Sequence, residues 1–284
     1  MGKRNISIFL VTTLLVTLSC ISFMIISNHN QTLGVGEHPL NFEDQVFETA
    51  LKKALNKDSI YQSELNDYVG IVIVANRIFL MSPEMTEKNI TLYSGEKFEI
   101  DATVYSENGT MLSLADLKHF PSLTSLKVYF QKNLDYNTIR ISSTINNLSL
   151  YADDISDLTF IGRFINLSYV NLNYNKINDI APLGSLTKLK TASINFNNIS
   201  NINGIEKASS LTNLQLNNNN ITDISAISTL TNLTSLSLQN NNISNVSCVK
   251  YLTNLTNLSI KNNPIANVEE LNKLTIIPEW KANI

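Results

Sequence analysis

The chain has 284 residues, with 21 Lys and Arg against 24 Asp and Glu, and its formal net charge is −3. This balance, together with the lack of any basic cluster, argues against nucleic acid as a partner. The two cysteines, Cys20 and Cys248, lie far apart in different settings, and the three histidines are isolated. The sequence therefore predicts no metal site, no cofactor and no catalytic residues, and its length suits one elongated array with a cap.

Residues 1–27 predict an export signal. Lys3 and Arg4 precede an uncharged apolar run of 21 residues, from Ile6 to Ile26. A helix of that length spans about 30 Å, enough to cross the hydrocarbon core of a bilayer. The run is long for a cleaved signal peptide, so a cleaved signal and an uncleaved membrane anchor both stay open, with lipidation at Cys20 as a third route. In each case the rest of the chain is expected outside the cytoplasm, on the cell surface or secreted.

Residues 28–40 predict a linker, and residues 41–110 predict a cap with an extra β segment. Seven apolar residues at helical spacing indicate an amphipathic helix: Phe42, Val46, Phe47, Ala50, Leu51, Ala54 and Leu55. Such a helix can cover the open end of a repeat array. A second short helix is expected within residues 59–68, and residues 70–110 show β-like alternation to which we assign no chemistry.

A unit of 22 residues repeats through the second half of the chain. Its marker is an asparagine at positions 175, 197, 219, 241 and 263, and Asp153 lies one period upstream. Apolar residues keep constant offsets around each marker, which predicts a solenoid of six regular units from about residue 145 within an array at 111–275. Earlier units are degenerate, with Gln131 at the marker position, and Trp280 in the C-terminal end, residues 276–284, is expected to cover the last coil.

Within each unit the L-x-L step predicts a short strand, and the apolar residues at every third position after it predict a 3₁₀ turn. The marker asparagines are expected to form a ladder that bonds the buried turn backbone. Asp153 cannot donate when it is ionised, so the first rung is expected to be weaker. The neighbouring Asn217, Asn218 and Asn220 are expected to face solvent or a partner.

The pattern L-x-x-L-x-L-x-x-N-x-I resembles the leucine-rich repeat. With the preceding "F-x-D…A-L-x-x-A-L" cap, residues 41–275 resemble the bacterial internalin-type surface proteins. The resemblance implies an α/β repeat solenoid, a horseshoe with parallel strands on the concave face, short 3₁₀ turns on the convex face and a helical cap. The extra β segment at 70–110 departs from that pattern. No immunoglobulin-like segment or wall-sorting signal follows the repeats, so attachment to the cell wall is not expected.

Aromatic residues cluster at the outward-facing strand positions of the first units, and the later units have none there. They are Tyr129, Phe130, Tyr151, Tyr169, Tyr174 and Phe196. Exposed aromatics grouped on one face favour a protein or peptide contact, with Tyr151 and Tyr169 expected to form one platform. The alternatives are rings that fold back into the turn core, tyrosines that suit a β surface, and a sugar site.

The sequence thus favours an extracytoplasmic, non-enzymatic, monomeric binding module. Two other functions stay open. One is an intracellular scaffold similar to phosphatase regulators that share 22-residue repeats. The other is an enzyme with its site in residues 41–110.

Overall fold

The computed structural model describes residues 37–74, 77–83 and 111–273. Three predicted features lie outside the described residues. They are the export segment at 6–26, residues 84–110 of the β-like segment, and Trp280. No helix within the described ranges is long and apolar enough to span a bilayer.

Among the described residues, two helices precede the repeats, α1 (Gln45–Leu55) and α2 (Gln62–Leu65). The described residues form one sheet of nine strands in the order β2-β1-β3-β4-β5-β6-β7-β8-β9. The strands are β1 (Gly70–Val74), β2 (Arg77–Met81), β3 (Ser125–Tyr129), β4 (Asn147–Tyr151), β5 (Tyr169–Asn171), β6 (Thr191–Ser193), β7 (Asn213–Gln215), β8 (Ser235–Ser237) and β9 (Asn257–Ser259). From β3 onward each strand pairs in parallel with the strand 22 residues later.

A short 3₁₀ turn precedes β3, and one follows each strand from β3 to β9. These turns lie at Ala115–His119, Tyr136–Thr138, Thr159–Arg163, Ala181–Ser185, Ile205–Lys207, Ser225–Thr229, Ser247–Tyr251 and Val268–Lys273. Leucine and isoleucine from strands and turns form one continuous core along the array. The predicted solenoid, its parallel strands and its 3₁₀ turns are therefore confirmed.

The hairpin β1–β2 extends the sheet at its N-terminal end. Its two strands are antiparallel, and β1 then pairs in parallel with β3, Gly70 opposite Ser125. The described part of the β-like segment thus adds a rung to the solenoid.

Two carboxylates fasten the helical cap to the first repeat. Asp44 caps α1 through Oδ1, which accepts the N–H groups of Val46 and Phe47, both at 2.9 Å. Its Oδ2 accepts the N–H groups of Leu112 and Ser113 at 2.9 and 3.0 Å.

In return, the fully buried Asp116 of the first repeat accepts the backbone N–H groups of Glu43 and Asp44, each at 2.8 Å. Phe47 of α1 packs its ring edge-on against Phe120 of the repeat. Hydrogen bonds as well as apolar packing therefore hold the cap on the first repeat.

The marker asparagines form the predicted ladder. Asn219, 7% exposed, donates through Nδ2 to the carbonyls of Ile194 and Leu216, both at 3.0 Å, and accepts the N–H of Ile199 at 3.1 Å. Asn175, Asn197, Asn241 and Asn263 repeat this arrangement.

The neighbours of the ladder are not all solvent-facing, which corrects the sequence expectation. Asn217 is half-buried, and its Oδ1 accepts the N–H of Gln239 at 2.7 Å and the hydroxyl of Ser237 at 2.8 Å. Asn195 plays the same part for the N–H of Asn217 at 2.7 Å. A second amide ladder thus continues the sheet beyond its short strands, and Asn220 alone of the three neighbours is exposed.

Candidate functional site

Five of the six predicted aromatic residues lie at two levels of the sheet, and the sixth, Tyr169, begins β5. Tyr129 and Tyr151 end β3 and β4, and Phe130, Tyr174 and Phe196 follow at the turn before the ladder position. Tyr174 and Phe196 are 46% and 42% exposed, Phe130 and Tyr151 are half-buried, and Tyr129 is buried. The ring of Phe196 therefore does not fold into the turn core.

Four of these rings form a continuous row across neighbouring repeats. The centroid of Tyr151 lies 5.8 Å from that of Phe130 and 5.1 Å from that of Tyr174. Tyr174 stacks face to face on Phe196, with centroids 4.2 Å apart and planes within 9°. We call Phe130, Tyr151, Tyr174 and Phe196 the aromatic ridge.

Tyr129 and Tyr169 stand differently. The ring of Tyr129 is buried beside the ridge, with its centroid 5.9 Å from that of Tyr151. Tyr169 begins β5 and pairs in register with Asn147, at the opposite end of the strand from Tyr151. The expected platform of Tyr151 and Tyr169 is therefore wrong, because a shift of four residues along the strand separates them. Tyr174 is the ridge neighbour of Tyr151 on that side.

The residue just before each ladder position adopts a left-handed backbone conformation. The φ angles are 60° at Phe130, 57° at Ala152, 59° at Tyr174, 58° at Phe196, 56° at Asn218, 56° at Asn240 and 61° at Asn262. Asparagine is the non-glycine residue that tolerates this region best, and for a bulky residue it is an outlier. Three ridge aromatics thus occupy positions where the same chain uses asparagine three times.

This strain was missed in reading the sequence. The signal was present, because the position before each marker is occupied by Asn in the last three units and by an aromatic at 130, 174 and 196. Strained backbone is retained where the surrounding structure enforces it, and it concentrates at functional sites.

The ridge carries no charge at neutral pH. Burial, followed by the neighbouring Tyr174 and Tyr129, raises the pKa of the Tyr151 hydroxyl, and burial raises that of Tyr174. Two exposed charges close to the ridge in sequence pair with each other, with Lys176 Nζ 3.2 Å from Asp154. The ridge can therefore offer apolar ring surface and neutral hydroxyls to a ligand.

Hydrogen bonds hold the polar groups beside the ridge in place. Asn173 Oδ1 accepts the N–H of Asn195 at 2.6 Å and lies 3.1 Å from the hydroxyl of Ser193. The same hydroxyl lies 3.1 Å from Gln215 Oε1. These bonds fix the polar side chains next to the rings. Side chains that are already fixed lose less entropy when a surface is buried.

Other chemistry finds little support in the described ranges. No cluster of three or more His, Cys, Asp or Glu residues there is arranged to hold a metal ion. Cys248 is half-buried, its thiol donates to the carbonyl of Ile224, and burial raises its pKa to about 11.

Comparison with known proteins identifies the architecture. A family model described as Leucine Rich repeats (2 copies) matches residues 209–251 and 231–273. The solved structure of internalin C2 from Listeria monocytogenes is 21% identical, covers 87% of this chain and 97% of its own, and gives a TM-score of 0.65. The chain has the internalin-type leucine-rich repeat fold.

A second internalin, InlF from the same organism, is 24% identical, with 87% of this chain and 84% of the other covered and a TM-score of 0.54. A search of curated proteins gives no significant match. An internalin-type fold is consistent with a protein-binding repeat module.

Proposed function

We propose that this protein is an extracytoplasmic binding module that captures a protein or peptide partner on the aromatic ridge. The observation that carries the proposal is that three of the four ridge residues are aromatics in left-handed conformation. An asparagine at those places would be less strained, as at Asn218 and Asn240. Retention of the rings therefore suggests a role other than folding.

The form of the ridge suits a protein contact. Tyrosine and phenylalanine in a row bury large apolar area with few rotatable bonds, and interface hot spots are rich in such anchors. We expect the monomer to be the binding unit.

The apolar run at 6–26 supports export of the repeats, as a cleaved signal peptide or as a membrane anchor. Protease treatment of intact cells, followed by fractionation, tests this part. Repeats that stay protected in intact cells would favour the intracellular scaffold instead.

Panning of a random peptide display library against the purified protein tests the ridge. Each selected peptide is then measured against the double variant Tyr174→Asn and Phe196→Asn. Loss of one anchor costs about 2 kcal/mol or more, or about thirtyfold in Kd, so the double variant is expected to lose binding. Its melting midpoint is expected to stay close to that of the parent, because relief of backbone strain offsets a lost ring stack of about 0.5–1.5 kcal/mol.

The matched control is Asn218→Gly with Asn240→Gly, which alters the equivalent position in two later units without adding strain. The control is expected to bind the selected peptides normally. Peptides that bind the double aromatic variant as tightly as the parent would show that the ridge is not the site. A strongly destabilised double variant would show that the rings serve the fold.

A further inference from the structure

One rung of the ladder carries a carboxyl group where the five later rungs carry a carboxamide. Asp153 is 3% exposed, and its Oδ1 accepts the N–H of Gln131 at 2.8 Å. In the next rung, Oδ1 of Asn175 accepts the corresponding N–H, that of Asp153, at 3.0 Å. Oδ1 of Asp153 therefore takes the part of a carboxamide oxygen. Its Oδ2 is left where each asparagine has its NH₂ group.

That place is lined by hydrogen-bond acceptors. Nδ2 of Asn175 donates to the carbonyls of Leu150 and Leu172 at 2.8 and 3.0 Å. One period of 22 residues back, the equivalent carbonyls are those of Val128 and Leu150. A carboxylate brings only acceptors to such a place, whereas a neutral carboxyl brings one O–H donor.

Burial, not an opposite charge, dominates the surroundings of Asp153. Its Oδ2 is buried near the buried hydroxyl of Tyr136, which comes from the 3₁₀ turn before β4, and neither atom makes a hydrogen bond of good geometry. The other titratable groups that face it are Tyr129 from β3 and Asp154, the next residue. In the described part of the chain Asp153 has no salt bridge, and Lys176 pairs with Asp154.

We propose that Asp153 is a proton-dependent rung, held as the neutral acid whose O–H replaces an asparagine N–H in the ladder. Loss of this proton is then expected to set a charged Oδ2 against the acceptor carbonyls of the ladder. The resulting repulsion is expected to weaken the turn that carries Phe130, whose next residue, Gln131, is bonded to Asp153. This inference does not depend on whether the ridge binds a partner.

The direction of the pH dependence follows from the burial. Burial is the largest influence and raises the pKa of Asp153 well above its usual value. The N–H groups of Gln131 and Phe130 and the hydroxyl of Tyr136 act in the opposite direction, and the charge of Asp154 acts in the same direction as burial. In the unfolded chain the same group ionises near about 3.9. The free energy of unfolding due to Asp153 is therefore greatest in acid and falls as pH rises from about 4 through the folded-state pKa.

Melting midpoints of the purified protein, measured from about pH 5 to about pH 8.5, test the proposal. The variants are Asp153→Asn, which completes the ladder, and Asp154→Asn, which removes the exposed neighbouring charge as a control. We expect Asp153→Asn to melt several degrees above the parent at the alkaline end, with the difference shrinking toward acid. The Asp154→Asn profile should still fall with rising pH as the parent does, with the fall ending at a slightly lower pH because the repelling charge beside Asp153 is gone.

Two further measurements distinguish protonation of Asp153 from a general change of stability with pH. The infrared C=O band of a protonated carboxyl should be present in the parent at neutral pH and absent in Asp153→Asn. The reverse change, Asn175→Asp, should create a second acid-favoured rung and steepen the loss of stability with rising pH. Parallel profiles for the parent and Asp153→Asn, or no protonated-carboxyl band at neutral pH, would overturn the proposal.

Discussion

The bond between cap and repeats offers the sharpest test of stability. Asp44 is 8% exposed, and its two oxygens together accept four backbone N–H groups, two in α1 and two at Leu112 and Ser113. Replacing Asp44 by Ala leaves all four donors without their acceptor. One side chain thus supplies hydrogen bonds on both sides of this junction.

The size of the effect can be built from the two halves. Loss of a helix N-cap costs about 1 kcal/mol. A hydrogen bond to a charged group contributes about 1.5–3 kcal/mol, and the pair to Leu112 and Ser113 adds at least one such increment. We therefore expect Asp44→Ala to lower the free energy of unfolding by about 3–5 kcal/mol. For a chain of this size that corresponds to a midpoint about 6–20 °C lower.

Thermal and urea unfolding, followed by circular dichroism, measure this loss. Asp44→Asn keeps one oxygen for two of the four donors and is expected to fall between the parent and Asp44→Ala. Asp58→Ala removes an exposed carboxylate from the same region and should change stability by less than about 0.5 kcal/mol. If Asp44→Ala costs no more than Asp58→Ala, the cap is held by apolar packing alone and the reasoning from hydrogen bonds is wrong.

Three further outcomes are expected. Asn219→Ala should cost about 1–3 kcal/mol in urea unfolding because buried backbone groups lose their partners, whereas Asn218→Gly should be nearly silent, and equal losses would contradict the ladder. A chain shortened to begin at Asp58 should aggregate in size-exclusion chromatography, because it lacks α1 and the buried Phe47. A monodisperse shortened chain with an unchanged midpoint would show that α1 is dispensable. Burial, followed by the charge of Lys118, lowers the pKa of His119. The contribution of His119 to stability is therefore present above about pH 6.5 and is lost as pH falls through the folded-state pKa. Melting midpoints of His119→Gln that stay parallel to those of the parent in acid would refute this.

The repeat register was predictable because each asparagine keeps its distance from the same apolar residues. A solenoid of identical units has one packing solution, and Leu214 or Leu236 can face only the core once the strand is placed. The 3₁₀ turns followed from the short unit for the same reason. Periodicity therefore carries most of the fold.

The cap junction and the ridge depended on contacts that periodicity does not encode. The reciprocal bonds of Asp44 and Asp116 join residues 68 to 73 positions apart. Tyr151 and Tyr174 meet because the chain turns left-handed at residue 174, which brings that ring toward the end of β4. An alternation rule for straight strands cannot predict a contact made just beyond the strand. The platform of Tyr151 and Tyr169 was wrong for another reason, because alternation gives the side of the sheet and not the position along the strand.

The ladder bonds span 20, 22 or 25 residues in every later unit. Excision of residues 221–242 would join Asn220 to Ile243, and each surviving donor would meet the acceptor type that it had before. Duplication of the same block would be equally silent for the backbone. Recombination within a gene of this kind can therefore add or remove whole units among the later repeats, which have asparagine in place of the ridge aromatics. The aromatic ridge and the capped end would not change.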